Sequence, residues 1–288
     1  MAIRRLILTI MMTLAVVACA PAGSAKPSPS PSKATLEQGG VPHAIDVPKH
    51  SNASSANIVY QGGVVQHDPH VYLVFWGPKW SSDTSGTSAA LQTLFKGIDS
   101  TTYKNILTQY TDDNGAAGRS TVLSGVWMDT SVPSFSSTEG GDEAQAEAER
   151  AVSANNWQVD ADSQIMVLPQ QGSGIDGFTT GDTTGNNAFC GWHDFDTTIN
   201  AAYALIPYQT DTGDGTCDTP NSAATTATAS HEWAEMATDP QGDAWSSSGD
   251  NSEIGDVCSD TGLDGPLGTS VQSLWSNADG KCVFSTSP

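Results

Sequence analysis

Ser230-His231-Glu232-Trp233-Ala234-Glu235-Met236-Ala237-Thr238-Asp239-Pro240 closes a long run of small, helix-tolerant residues. Proline cannot continue a helix, so the stretch reads as a helix ending just before Pro240. At 3.6 residues per turn, positions four apart share a face, which points His231 and Glu235 the same way with Glu232 beside them. An imidazole and a carboxylate at that spacing are ligands for a divalent ion, and the extra carboxylate is a base for an activated water. The competing reading makes His231 a satisfied helix histidine and the two glutamates its solvated face.

Upstream, Asn221 or Ser222 is a sound N-cap, so the helix should run from there to Thr238. The pattern departs from the His-Glu-x-x-His of zinc peptidases, because a charged glutamate, Glu235, replaces the second neutral imidazole. Two carboxylates and one imidazole donate more negative charge than two imidazoles would. Water on such an ion should be less acidic, which favours slower catalysis or easier substrates. A third ligand has to come from elsewhere in the chain. Glu253 lies eighteen residues beyond Glu235, a separation like that of gluzincin peptidases, and Asp256 and His193 compete with it. Asp239 is two turns from His231, about 12 Å by helical rise, so its expected role is to fix the following loop through hydrogen bonds. Trp233 and Met236 read as core, and His43, His50, His67 and His70 as surface residues. One histidine in the set favours zinc, and a site made mainly of oxygen ligands leaves calcium as the alternative.

The remaining chain alternates strands and helices. Val71 to Trp76, closed by Gly77-Pro78, reads as a buried strand, with Ile58-Val59-Tyr60 before it. Leu91, Leu94, Phe95 and Ile98, then Tyr103, Ile106, Leu107 and Tyr110, fall at amphipathic-helix spacing. Thr121 to Trp127 is a further strand, and 142–155 is a helix with an acidic start. Gln164 to Pro169 and Ala201 to Pro207 are short apolar strands, and 172–196 reads as a Gly/Thr/Asp-rich loop. The resulting fold class is α/β, a mixed sheet with packed helices, a zincin-like active-site helix and a disulfide-stapled C-terminal half.

Composition narrows the function further. The 288 residues carry a formal charge of -21, and beyond Arg150 the only basic residue is Lys281, against nineteen Asp and Glu. Nucleic acid is therefore excluded as a partner. Arg4 and Arg5 precede an apolar run from Leu6 to Val17, so residues 1–18 read as an export signal. Pro21 disfavours cleavage after Ala20, whereas Cys19 after small residues suits lipidation. The expectation is a lipoprotein joined to the membrane at Cys19, with plain secretion as the alternative. Residues 19–57, including Pro27-Ser28-Pro29-Ser30-Pro31, form a tether, and 58–288 one globular domain.

Four cysteines remain, Cys190, Cys217, Cys258 and Cys282, an even number suited to disulfides in an exported chain. Three pairings exist, and local closure favours Cys190 with Cys217 and Cys258 with Cys282. Asp211, Asp214 and Asp218 crowd the loop around Cys217 without EF-hand spacing. Neither Gly-x-Ser-x-Gly nor Gly-x-x-x-x-Gly-Lys-Ser/Thr occurs, and disulfides and lipid consume the thiols. Metal chemistry is what survives.

Several segments together resemble the phosphate-induced, Exordium-like family of exported proteins, known from plants and with bacterial relatives. They are Tyr60-Gln61-Gly62-Gly63, Val71 to Trp80, Cys190-Gly191-Trp192-His193, Ser230 to Glu235 with Thr238-Asp239-Pro240, Trp245, and Glu253-Ile254-Gly255-Asp256-Val257-Cys258. The resemblance spans roughly residues 58 to 284 and implies an extracellular or wall-associated protein without an assigned reaction. It also implies that the His-Glu-x-x-Glu and Glu-Ile-Gly-Asp-x-Cys segments are parts of one unit.

The leading expectation is a zinc-dependent hydrolase acting on peptide or related bonds, with His231, Glu235 and Glu253 as ligands and Glu232 as general base. The rival is a noncatalytic protein binding cell-wall material, with the same residues as a structural metal site or polar cluster. A carbohydrate-binding module, suggested by eight Trp, is the third reading. Burial of Trp192, Trp245 and Trp275 would count against it.

Overall fold

The computed structural model describes residues 58–176, 178, 189–209, 221–249, 251–258 and 265–286, together with the short strand at His43–Ala44. The expected export signal, Cys19, Cys217 and the acidic 211–218 loop lie outside the described residues, as does the tether apart from that strand.

In chain order the strands are His43–Ala44 (β1), Ile58–Tyr60 (β2), His70–Trp76 (β3), Thr111–Asp112 (β4), Gly115–Ala116 (β5) and Val122–Asp129 (β6). Ser163–Pro169 (β7), Trp192–Asp196 (β8), Ala201–Leu205 (β9), Trp245–Ser247 (β10), Leu274–Ser276 (β11) and Lys281–Val283 (β12) follow. Three α-helices span Thr87–Gly97 (α1), Gly141–Asn155 (α2) and Asn221–Thr238 (α3).

The main sheet has the order β6-β3-β7-β9-β8-β1. β6, β3, β7 and β9 are mutually parallel, while β8 runs antiparallel to β9. This is the mixed-sheet α/β fold that the alternating pattern predicts. β3 is buried from Val71 to Trp76 because both faces are covered. Val71, Leu73 and Phe75 pack with Leu91, Leu94 and Phe95 of α1 and Trp233 of α3. Tyr72, Val74 and Trp76 join Ala144, Ala148 and Ala151 of α2 on the other face. On β9 the residues facing α3 are Ala202 and Ala204, small side chains that let the helix approach the sheet closely.

α3 is the structural centre. Every residue from Ala224 to Pro240 is buried, and the helix is built of Ala, Thr and Ser around its few large side chains. A helix buried all round has no solvated face to offer. Trp233 stacks on Tyr103, with ring centroids 5.9 Å apart.

Two parts of the chain differ from their expected form. The segment around Ile106 and Leu107 is a 3-10 helix, Lys104–Gln109, instead of a second α-helix. Tyr103 donates to the Gln272 carbonyl at 2.7 Å and Tyr110 to the Trp275 carbonyl at 2.6 Å, so anchoring at both ends overrides the local periodicity. Trp192–Asp196 is a sheet strand, where the flanking Gly, Thr and Asp residues suggest only loop. Its partner β9 supplies the hydrogen bonds that local composition does not reveal. Trp192 and Trp275 are buried and Trp245 is half-buried, its indole donating to the Thr111 carbonyl at 2.9 Å. These rings build the core, which counts against a sugar-stacking surface.

Cys258 and Cys282 form a disulfide that ties the turn after Asp256 to β12. Cys190 is also disulfide-bonded, and its expected partner Cys217 lies outside the described residues. No helix among the described residues is long and apolar enough to cross a membrane. The Cys258–Cys282 bridge closes a separation of 24 residues. Replacing both by serine should cost about 3 kcal/mol by loop-closure entropy, read as a lower denaturation midpoint in guanidinium.

Candidate metal centre

Three chain segments converge on α3. The helix supplies His231, Glu232 and Glu235, all buried. His193 comes from β8, opposite Ala204 of β9, and its side chain shares the sheet face on which α3 packs. The turn after β10 supplies Glu253 and Asp256, and the segment before β11 holds that turn in place. Gln272 donates its backbone N–H to Ser230 Oγ at 3.0 Å and its side-chain amide to the Gly255 carbonyl at 2.8 Å. Trp275 N–H adds a bond to the Ile254 carbonyl at 2.8 Å.

Glu235 is the hub. Its Oε1 accepts from the backbone N–H groups of Gly255 and Asp256 at 3.0 and 3.1 Å. Its Oε2 lies 2.7 Å from His231 Nε2 and 3.9 Å from His193 Nδ1. The approach to His231 is that of an ion pair, while His231 Nδ1 has no hydrogen-bond partner among the described residues. A buried imidazole left in that state is costly. Two ligand atoms that share an ion also lie close together in this way. Asp256 Oδ1 stands 3.6 Å from His231 Nε2, and Asp256 Oδ2 accepts the Glu253 N–H at 2.9 Å.

Glu232 turns toward the sheet. Its Oε2 is 3.1 Å from His193 Nδ1, while Oε1 has no hydrogen-bond partner among the described residues. Glu253 Oε2 is 3.8 Å from His193 Nε2. Asp239 accepts the Ala244 N–H at 2.6 Å and so anchors the loop after the helix.

Two groups of side chains place one ligand atom each close enough to share an ion. One is His193, Glu232 and Glu235, the other His231, Glu235 and Asp256. The structure thus brings the sequence-derived residues together, but Glu253 belongs to neither group, and Asp256 and His193 each complete one of the two sets. Separation along the chain could not distinguish Glu253 from Asp256, since both sit on one tight turn. The solvated-face reading of the glutamates does not hold, because α3 is buried on every side from Ala224 to Thr238.

Two glycines that motif reasoning leaves unassigned make the packing feasible. A Cβ on Gly255 would lie 2.5 Å from His231 Nδ1, and one on Gly191 would lie 2.7 Å from Glu232 Oε1. Each brings backbone against a site side chain where no larger residue fits. Their only sequence signal is position, inside Glu-Ile-Gly-Asp and Cys-Gly-Trp-His.

Five carboxylates and two imidazoles in one interior cannot all keep their ordinary charge. Burial works against the His231 cation, but the Glu235 charge outweighs it and lifts the imidazole to about 10. Burial likewise opposes the His193 cation, and the bond and charge of Glu232 raise it overall. For Glu235 burial is overcome by the charge of His231, and its value falls. Burial raises Glu232, and it pushes Glu253 well up with help from the Glu235 charge. It also carries Asp256 to about 7, and Asp239 to about 6 against the bond from Ala244. Without a cation, the cluster balances itself by taking up protons.

The fold and this cluster define an α/β protein with a buried imidazole–carboxylate centre able to hold a metal ion. The chain matches no protein-family model, no curated protein and no solved structure.

Because the His231 value is raised above the ordinary 6.5, its proton remains through neutral pH and leaves only as pH rises through about 10. Holding an ion displaces it, so affinity should climb from pH 6 to pH 9 by about tenfold per unit for each proton displaced. Calorimetry in buffers of different ionisation enthalpy would read that release. Gly255→Ala should lower metal affinity at least tenfold while the circular dichroism of the fold persists, because the added methyl pushes the His231 ring aside.

Proposed function

We propose that the protein is an exported, lipid-tethered hydrolase of peptide or related acyl bonds, using zinc held by His231, Glu235 and Asp256. The observation that carries this reading is His231, fully buried, with Nε2 2.7 Å from Glu235 Oε2 and Nδ1 without a hydrogen-bond partner among the described residues. Imidazole in the ligand set favours zinc over calcium. When bound, the ion lowers the pKa of water and polarises the carbonyl under attack.

The rest of the chemistry belongs to the chain. Glu232 Oε1 takes the proton from the attacking water, an acceptor with no competing bond among the described residues. His193 Nδ1, at 3.1 Å, holds Glu232 through Oε2 and so leaves Oε1 as the accepting atom. Burial raises Glu232 above the ordinary carboxylate range, which makes it a stronger base. The Gly255 and Asp256 N–H groups fix Glu235 through Oε1, leaving Oε2 for the ion. Residues 1–19 and the Exordium-like segments support export, anchoring at Cys19 and a place in or near the cell wall.

A noncatalytic reading is favoured by one observation. His231, Glu232 and Glu253 are 0 % exposed, and structural metal sites are closed where catalytic ones keep an open position. Asp256, with a side chain 19 % exposed, is the route by which water would enter.

Glu232→Gln separates the two. For a hydrolase, turnover of a peptide library should fall at least a thousandfold with zinc content and thermal midpoint retained. Unchanged turnover removes Glu232 as the base, and a wild-type protein that holds zinc without any turnover leaves the structural site. His231→Ala should lose the zinc under either reading.

A further inference from the structure

The two ligand groups overlap, and their overlap has a regulatory meaning. His231, Glu235 and Asp256 form one, and His193, Glu232 and Glu235 the other, with Glu235 common to both. The two imidazoles fall in different groups. Two nitrogen ligands on one zinc can be at most about 4.2 Å apart, twice the metal–nitrogen distance, so a nitrogen from each ring would not reach a single ion in this arrangement. Glu235 can serve both sides because its Oε2 faces His231 Nε2 at 2.7 Å and His193 Nδ1 at 3.9 Å. Carboxylate-bridged ions in two-metal centres are typically about 3.5–4 Å apart, and a single glutamate between two imidazoles suits such a pair.

We propose that the centre takes a second, weaker divalent ion at His193, Glu232 and Glu235, and that this ion switches the hydrolase off. It rests on the reading above, in which Glu232 is the base. Glu232 Oε2 and His193 Nδ1 are already 3.1 Å apart and buried, and Oε1 of the same carboxylate has no hydrogen-bond partner among the described residues. An ion seated there converts Glu232 from a proton acceptor into a ligand. It also takes the imidazole that orients it. The second site is the weaker because the Glu235 carboxylate it needs is already committed to the first ion and to two backbone N–H groups. Five carboxylates against two imidazoles leave enough negative charge for two divalent ions in place of one. Free metal concentration would thereby set the active fraction: one ion gives the working enzyme, two the silent one.

The test is equilibrium dialysis of the full chain against buffered free zinc over several decades, with zinc per chain as the readout. Two separable equivalents are expected, the second at least a hundredfold weaker. His193→Gln, checked for fold by circular dichroism, should abolish the second and spare the first. Asp256→Asn should weaken the first. In the wild type, turnover should fall as the second equivalent fills. A single equivalent at every concentration, or a second that survives His193→Gln, overturns the inhibitory site and leaves the one-ion hydrolase standing. Zinc absent at all concentrations would overturn both.

Discussion

Placing charged side chains on a helix with no exposed face is the constraint around which this structure is arranged. From Ala224 to Thr238 α3 is closed off from water, yet it carries His231, Glu232 and Glu235, with Asp239 buried just beyond its end. Each of those groups costs several kcal/mol to bury unless something answers its charge or its hydrogen bonds. The surroundings supply some of that answer. The 255–256 backbone satisfies one oxygen of Glu235, His193 satisfies one oxygen of Glu232, and the Ala244 N–H satisfies Asp239. What is left over, the His231 ring and one oxygen of Glu232, is the part of the balance that a cation could answer.

The answering groups come from parts of the fold with no other reason to meet. β8 runs against the direction of its neighbours, and this orientation brings His193 onto the α3 side of the sheet opposite the small Ala204. The 253–256 turn is pinned from behind by Gln272 and Trp275 and tied through Cys258 to β12. Gly255 and Gly191 then permit contact distances that a methyl group would forbid. Rigidity at the centre is thus imposed from outside α3, while the helix alone fixes the spacing of His231 and Glu235.

Much of this was legible in the sequence, and the illegible part has a common cause. α3, α2, β3, β7 and β9 announce themselves through local period and proline stops, and the i, i+4 relation of His231 and Glu235 follows from helix geometry alone. β8 does not, because Trp192-His193-Asp194-Phe195-Asp196 has no strand period strong enough to stand out from its glycine-rich flank, and its hydrogen bonds come from β9. The tyrosine-anchored 3-10 segment is missed for the same reason, since its turn is set by carbonyls at 272 and 275. Similarly, a sequence separation of eighteen cannot tell Glu253 from Asp256, because the turn at Ile254–Gly255 decides which carboxylate faces His231. Residues read correctly act through their neighbours in sequence, and those missed act through neighbours in space.

β2 is a short strand, but its pairing bears on how the molecule is assembled. Tyr60 pairs with Trp245 and Ile58 with Ser247, and Asn277 donates its side-chain amide to the Ile58 carbonyl at 2.7 Å. The beginning of the domain is therefore held by chain from near its end. Its three strand residues must wait, without ladder partners, until more than half of the domain's sequence beyond them has been made. A chain emerging from its N-terminus cannot complete the domain piece by piece, so the pairing of β2 with β10 is a late and cooperative event, and the side-chain cluster, whose Asp256 lies beyond β10, comes into being only with the whole.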